Sequence, residues 1–287
     1  MPELPEVETV RRHLERHVVG RTIARVATSG KALRRPVPAA VRTRAAGRTI
    51  QAVRRHGKFL ILEFDGGASL IAHLGMTGAF LFRPADTDAG KPGIHVHVRF
   101  TFTDGSALWY EDARRFGLID WAPPGQARER LGPGGGGVDP MMVRLDGAEL
   151  RRLFARCRGP IKPLLLDQKR IAGIGNIYAC EALHRAAIGP RRAAHTLSAD
   201  ERERLAREIH LVLDRAVEHR GTTFSDFRDL DDRPGAYASE LLVYDREGEP
   251  CPRCGRAIRR VVQGGRSTFY CAGCQTRAAS RLRQPTP

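Results

Sequence analysis

The sequence predicts an α+β protein in which a β-rich sandwich with a leading helix precedes a helical body that closes in a metal-binding hairpin. Three observations predict it. Short apolar or alternating runs fill the chain from Arg21 to about Trp121, a three-to-four-residue apolar period takes over from Met141 to about Arg220, and two Cys-x2-Cys pairs follow near the end. A chain of 287 residues has room for two cores, because domains usually run to roughly 100–200 residues.

In order along the chain, Val7, Val10, Leu14 and Val18 repeat at helical spacing directly behind Pro5, so the N-terminus is held by one short amphipathic helix. The runs TIARVAT, FLILEF, SLIAHLG, AFLF, HVHVRFTF and ALWYED, parted by Gly and Asp turns, read as strands of a sandwich over 1–131. The segment 132–140, with four consecutive glycines, lacks periodicity and bulk and reads as a hinge linker. The domain expected over 141–242 is helical in pattern to about Arg220, including DGAELRRLFARC, KPLLLDQKRIAGIGNIYACEALHRA and SADERERLAREIHLVLDRAVEH, the last opening on a Ser198-x-x-Glu201 capping box. A polar, Gly/Pro-punctuated loop begins at Thr222, and 243–287 holds the cysteine hairpin and a basic tail expected to be disordered.

The 48 Lys and Arg against 32 Asp and Glu leave a formal charge of +16, which favours a polyanionic partner, nucleic acid before an anionic membrane. No apolar run approaches the ~20 residues of a spanning helix, and the acids in MPELPEVETVRR oppose a signal peptide, so a cytoplasmic protein without a membrane partner is expected. Cys157 and Cys180 stand apart from the cluster and read as reduced, buried thiols.

Cys251-x2-Cys254 and Cys271-x2-Cys274, sixteen residues apart, have the spacing at which two knuckles of a hairpin supply four thiolates to one Zn²⁺. Four soft ligands leave no open position, so this zinc is expected to be structural and not the catalyst. Nine Arg and two Glu from Arg246 onward make the hairpin strongly basic, and Arg266 in its turn GGRSTF is the side chain expected on a DNA phosphate.

Met1 before the small residue Pro2 is normally trimmed, which would make the secondary amine of Pro2 the working N-terminus. An α-amino group has a reference pKa of about 7.7–8.0 against roughly 10.4 for Lys, so it is partly unprotonated at neutral pH without any burial. Attack on an aldehyde-like sugar carbon would give an iminium that acidifies neighbouring C–H bonds, and Glu3 and Glu6 lie within one turn to move protons. On local grounds alone the same residues also read as a plain helix start, with Pro at the first position and acids in the first turn.

PELPEVETVRR, HGKFLILEF, HLGMTG, DARRFG, GIGNIYACEAL and RSTFYC, in this order from end to end, resemble the formamidopyrimidine-DNA glycosylase family, the bacterial 8-oxoguanine repair enzymes. The resemblance implies a β-sandwich with a leading helix, then a helix–two-turn–helix domain with a zinc-finger hairpin. It implies removal of oxidised purines from damaged double-stranded DNA through a Schiff base on Pro2, followed by β/δ elimination, by a monomer with no small-molecule cofactor that joins the nucleoid when bound. Pro2, Glu3, Glu6, Lys58 and Arg266 are the implied catalytic set, with Glu6 supporting the site and Lys58 reaching toward the lesion and its phosphate. An extruded base leaves a hole that must be filled; Met76, Arg114 and Phe116 match the family's void-filling residues, whereas by themselves Met76 and Phe116 would read as core. Asn176, at a helix start, matches a phosphate contact, and Lys162, His73, His95 and Tyr244 match others less specifically. Departures are Asp232 and Asp245 where glycines are usual, Ala113 for a common proline, and the glycine run at 134–137. The rival readings are a sister enzyme of the same fold acting on oxidised pyrimidines, and a non-catalytic zinc-dependent DNA-binding protein.

Overall fold

A computed structural model describes residues 1–86, 91–223, 230 and 234–275. The chain divides into two compact units, Met1–Asp139 with Arg215–Ser239, and Pro140–Asp214 with Glu240 onward.

In the first unit, α1 (Leu4–Val18) is followed by β1 (Ile23–Thr28), α2 (Ala39–Ala45), β2 (Ile50–His56), β3 (Phe59–Phe64), β4 (Ser69–His73), β5 (Gly78–Arg83), β6 (Val96–Phe102), β7 (Ala107–Asp112), β8 (Leu118–Ala122) and α3 (Ala127–Arg130). Two antiparallel four-stranded sheets form, in the orders β2-β3-β4-β8 and β1-β6-β7-β5. One core joins them. Val53, Leu62, Phe64 and Leu70 from the first sheet share it with Phe80, Val98, Phe100 and Tyr110 from the second, and the expected stripe of α1, Val7, Val10, Leu14 and Val18, is buried in the same cluster. Strands β2 and β8 carry no clean alternation in the sequence. In β2 the irregularity is Arg55, which is buried.

The structure replaces the featureless linker expected over 132–140 with a 3-10 turn at Gly132–Gly136 and a buried, firmly bonded Asp139. It also returns 215–239 to the first unit, for physical reasons. Leu230 lies in the sandwich core, and the Thr222 N–H donates to Glu6 Oε1 at 2.7 Å.

The second unit holds α4 (Gly147–Phe154), α5 (Ile161–Leu165), α6 (Asn176–Arg185), α7 (Ala199–Glu218, as far as Asp214) and a hairpin of β9 (Arg259–Gln263) and β10 (Arg266–Tyr270). Asp146 caps α4 by accepting from the Glu149 N–H. The Ser198–Glu201 capping box of α7 is present in both directions. The long helical reading over 162–186 breaks into α5, a turn and α6, the turn being where the Gln168 side chain bonds Ile174 O and the Gly173 N–H. Cys180 is buried and Cys157 only partly so, and neither is in a disulfide. Asp245 adopts φ +60, a left-handed conformation that Asp tolerates better than most residues. Asp232 and the basic tail over 276–287 lie outside the described residues.

Candidate nucleic-acid-processing site

The N-terminal site is built by a helix start. Pro2 is buried beside an exposed Met1, and Glu3 caps α1 in extended conformation. Glu3 and Glu6 form a capping box, with the Glu3 N–H donating to Glu6 Oε2 at 2.8 Å, and both carboxylates are buried. The other Glu6 oxygen takes the Thr222 N–H, so one carboxylate ties the first residues of the chain to the start of the loop after α7. Gly221, at φ +83, has no alternative here: a Cβ would lie 2.8 Å from Glu6.

Lys58 sits in the turn between β2 and β3 and is buried. That turn is held from beneath. Asp139 accepts the Gly57 N–H at 2.7 Å and pairs with both terminal nitrogens of Arg55, whose Nε donates to Glu8 on α1 at 3.1 Å. Burial works against the Glu8 carboxylate, but Arg11, Arg55 and Arg12 outweigh it and keep its pKa below the ordinary value.

His73, opposite Phe59 in the β3–β4 ladder, has a pKa lowered to about 3 by burial, with Arg34 and Lys58 adding repulsion, and its Nδ1 accepts the Gly75 N–H. It is therefore a neutral ring, and can meet a phosphate only as a hydrogen-bond donor, not as a cation. His95 is exposed on a surface cavity it shares with Lys31, His97 and Arg115.

Met76 and Phe116, 36% and 46% exposed, lie on two loops that the backbone brings together. A Cβ on Gly75 (φ +65) would lie 2.5 Å from the Phe116 and Gly117 main chain, so only glycine permits the approach. Buried Asp112 sews the loops, accepting from Thr77 Oγ1 at 2.6 Å and from the Gly117 N–H at 2.7 Å, while Thr77 Oγ1 accepts the Arg114 N–H. The exposed Arg114 guanidinium stands 4.8 Å over the Phe116 ring. Core packing is thus not the role of Met76 or Phe116: the sandwich presents an apolar and cationic triplet on one rim.

In the second unit, Asn176 is the first residue of α6, and the cap is Gly175, not Asn176. Its Nδ2 donates to Ser267 O at 2.9 Å. Lys162 is 1% exposed, and its Nζ donates to Asn176 Oδ1, Ser267 O and Thr268 Oγ1 at 2.6, 3.1 and 2.7 Å. Its ammonium is directed inward, so in this arrangement it orients Asn176 and β10 and does not itself face a phosphate. Arg266 is exposed and is the first residue of β10, opposite Gln263, with Gly264 and Gly265 forming the turn. The half-buried Tyr244 gives its N–H to Glu181 and sets its ring edge-on to Phe269 at 5.1 Å.

The four cysteine Sγ atoms all lie within 4.8 Å of one another, with Cys251–Cys274 at 3.8 Å and Cys254–Cys271 at 3.4 Å. A tetrahedron with Zn–S bonds of about 2.3 Å has edges of about 3.8 Å, so the residues fit one structural zinc. The Arg256 N–H beside Cys254 lowers that thiol to about 7, whereas burial raises the Cys271 and Cys274 thiols, a rise that the charge of a bound cation would offset.

Sequence reasoning missed Arg55, Glu8 and Asp139, Asp112 with Thr77, and Glu181, which accepts three consecutive N–H groups from Leu242, Val243 and Tyr244. Asp112 and Thr77 stand inside motifs it did read, DARRFG and the HLGMTG turn.

A buried Pro2–Glu3–Glu6 helix start on a sandwich in one unit, and in the other a hairpin of four cysteines bonded to the N-terminus of a helix, are the features that the chain shares with zinc-finger DNA glycosylases. Residues 1–119 match the formamidopyrimidine-DNA glycosylase N-terminal domain, 137–228 its H2TH domain, and 248–277 the zinc finger found in FPG and IleRS. Formamidopyrimidine-DNA glycosylases of Beijerinckia indica and Xanthomonas oryzae are 44% and 42% identical, each aligned over 96% of this chain and all of its own length. The crystal structure of MutM (Fpg) from Thermus thermophilus superposes with a TM-score of 0.84 at 40% identity, covering 96% of this chain and 98% of that one. The Lactococcus lactis Fpg bound to DNA containing an abasic site gives 0.86 at 32%, covering 96% and 99%. The chain belongs to the formamidopyrimidine-DNA glycosylase family.

Proposed function

We propose that this chain is a bifunctional DNA glycosylase and AP lyase of base excision repair, removing 8-oxoguanine and formamidopyrimidines from double-stranded DNA. The observation that carries the reading is the buried Pro2–Glu3–Glu6 helix start in a member of this family. Removal of Met1 frees the imino nitrogen of Pro2, which bonds to the sugar C1′ as the N-glycosidic bond breaks and its electrons leave with the base. Glu3 protonates the ring oxygen as the C1′–O4′ bond opens to the iminium, and the acidified C2′ proton is then lost as the 3′ phosphate departs. Glu6 holds Glu3 through its N–H, Lys58 faces the lesion and its phosphate, and Met76, Arg114 and Phe116 fill the vacated stack.

Asn176, Arg266 and His95 bind phosphates, with Tyr244 beside the zinc hairpin and His73 as a neutral donor. The protein works as a monomer on nucleoid DNA. Among the described residues no helix is long and apolar enough to cross a membrane.

The test is borohydride trapping on a duplex containing one 8-oxoguanine. The processed protein gives a covalent adduct, whereas protein retaining Met1, in which the Pro2 nitrogen is an amide, binds the duplex and gives none, and Pro2→Gly, which keeps a primary amine after processing, binds it and is trapped far less. Equal trapping in those variants, or no adduct with wild type, overturns the amine mechanism and leaves a DNA-binding scaffold.

A further inference from the structure

The last turn of α6 meets the zinc site through a single side chain. His184 is fully buried, and its Nε2 lies 3.4 Å from Cys251 Sγ, itself buried. Its other ring nitrogen, Nδ1, is buried without a hydrogen-bond partner among the described residues. A zinc-bound thiolate can only accept, so one ring tautomer satisfies this geometry: the proton on Nε2, aimed at sulfur, with only a lone pair left unmatched. The opposite tautomer would bury an N–H with no acceptor and point a lone pair at an anion, and both are unfavourable.

We propose that His184 is an outer-sphere residue of the zinc site, donating Nε2–H to the Cys251 thiolate and fastening α6 to the metal. Four thiolates on one Zn²⁺ leave a net negative centre, and an N–H donor on one of them draws off charge and resists its protonation and departure. The surrounding contacts support a built junction. Arg253, two residues beyond Cys251, donates Nη1 to the carbonyls of His184 and Arg185, closing the helix end. One turn earlier, Glu181 takes the N–H groups of Leu242, Val243 and Tyr244 just ahead of the first knuckle. Because α6 begins at Asn176, which is bonded to Ser267 of β10, the hairpin grips this helix at both ends.

The experiment uses full-length, zinc-loaded protein and the variants His184→Phe, which keeps ring volume, and His184→Gln, whose amide N–H can reach the place of Nε2. Transfer of zinc to a chromogenic chelator should be about tenfold faster in the Phe variant, the low end of the 10–100-fold that outer-shell partners contribute, and near the wild-type rate in the Gln variant. In cobalt-substituted protein, the thiolate-to-metal charge-transfer band should move to lower energy in Phe and return in Gln. A Phe variant with wild-type transfer and an unmoved band overturns the proposal, as does a Gln variant that behaves like Phe, which would assign the effect to packing. Should the Phe variant not fold, ring ¹⁵N spectra of the wild-type zinc protein decide alone: a proton on Nδ1 of His184 refutes the bond, and one on Nε2 supports it.

Discussion

Asp139→Ala should cost the sandwich both stability and catalysis, for separable reasons. The carboxylate is 1% exposed and accepts from Arg55 twice and from the Gly57 N–H once, at 2.5–3.2 Å. Deleting it strands a buried guanidinium, for which about 3–5 kcal/mol is typical. Arg55 keeps Glu8 and the Gly57 carbonyl as partners, so the low end, about 3 kcal/mol, is expected. At about 2–4 °C per kcal/mol for a body of this size, the first unit should melt about 6–12 °C lower by calorimetry. The turn carrying Lys58 loses its anchor as well, and a displacement of about an ångström can cost about 10²-fold in rate, to be read in single-turnover excision. The double variant Arg55→Met/Asp139→Leu removes the stranded charge, so it should recover much of the melting temperature while the Gly57 N–H stays unheld and excision stays slow. An Asp139→Ala protein that melts and excises like wild type, or a double variant that recovers both properties together, would refute the assignment of this network to positioning.

Three further outcomes are expected. The Glu8 carboxyl lies below its ordinary pKa in the fold, so its stabilisation is complete above the unfolded value of about 4.5 and is lost as pH falls through the lower folded value; urea midpoints should drop on acidification below about 4.5, and Glu8→Gln should flatten that drop. His73, depressed from 6.5 to about 3, stays neutral in the fold while the unfolded chain takes up its proton, so stability attributable to it rises with pH between about 3 and 6.5; its ring resonances should not titrate between pH 8 and 5, and a shift in that window would show the ring to be accessible. Lys162→Met should weaken duplex affinity by loosening Asn176 and β10 yet leave the salt dependence of binding unchanged, whereas a slope reduced by about one would show that Lys162 meets a phosphate directly.

What the sequence disclosed and what it withheld divide along a physical line. Periodicity exposed α1, most strands and α7 because their burial follows a fixed spacing, and paired cysteines exposed the zinc hairpin because a tetrahedral site constrains its own spacing. Strand β2 escaped because Arg55, indistinguishable in sequence from its exposed neighbour Arg54, points into the protein toward partners 47 residues before and 84 after it. The two units do part between Asp139 and Pro140, inside the expected linker, but its structure was hidden in the same way: Asp139 is unremarkable in its neighbourhood and acquires its meaning only from Arg55 and Gly57. The proposed catalytic carboxylates were visible as a capping-box pattern, but the second use of Glu6, on Thr222, spans 216 residues and leaves no local trace. Lys162 was legible as a cation and illegible as an inward-facing one.

A common device underlies these hidden contacts. Glu6, Asp112, Asp139 and Glu181 are all buried, and each accepts main-chain N–H groups of a loop that displays a candidate site residue or enters the zinc hairpin: Glu3 and Thr222, Gly117, Gly57, and Leu242 to Tyr244. A carboxylate gripping an amide fixes backbone position whatever side chain the loop carries, and charge-assisted bonds of this kind are roughly twice as strong as neutral ones. In a chain of +16 the division is economical: a few acidic side chains turn inward to hold loops still, Glu181 among them with a pKa that burial raises against the pull of its three N–H donors, and Arg114 and Arg266 stay outside, where the proposed function has them meet DNA. Removing any of the four carboxyl groups should therefore disturb the geometry of one loop and its site residue before it disturbs the affinity for DNA, which the proposed function assigns to the outward cations.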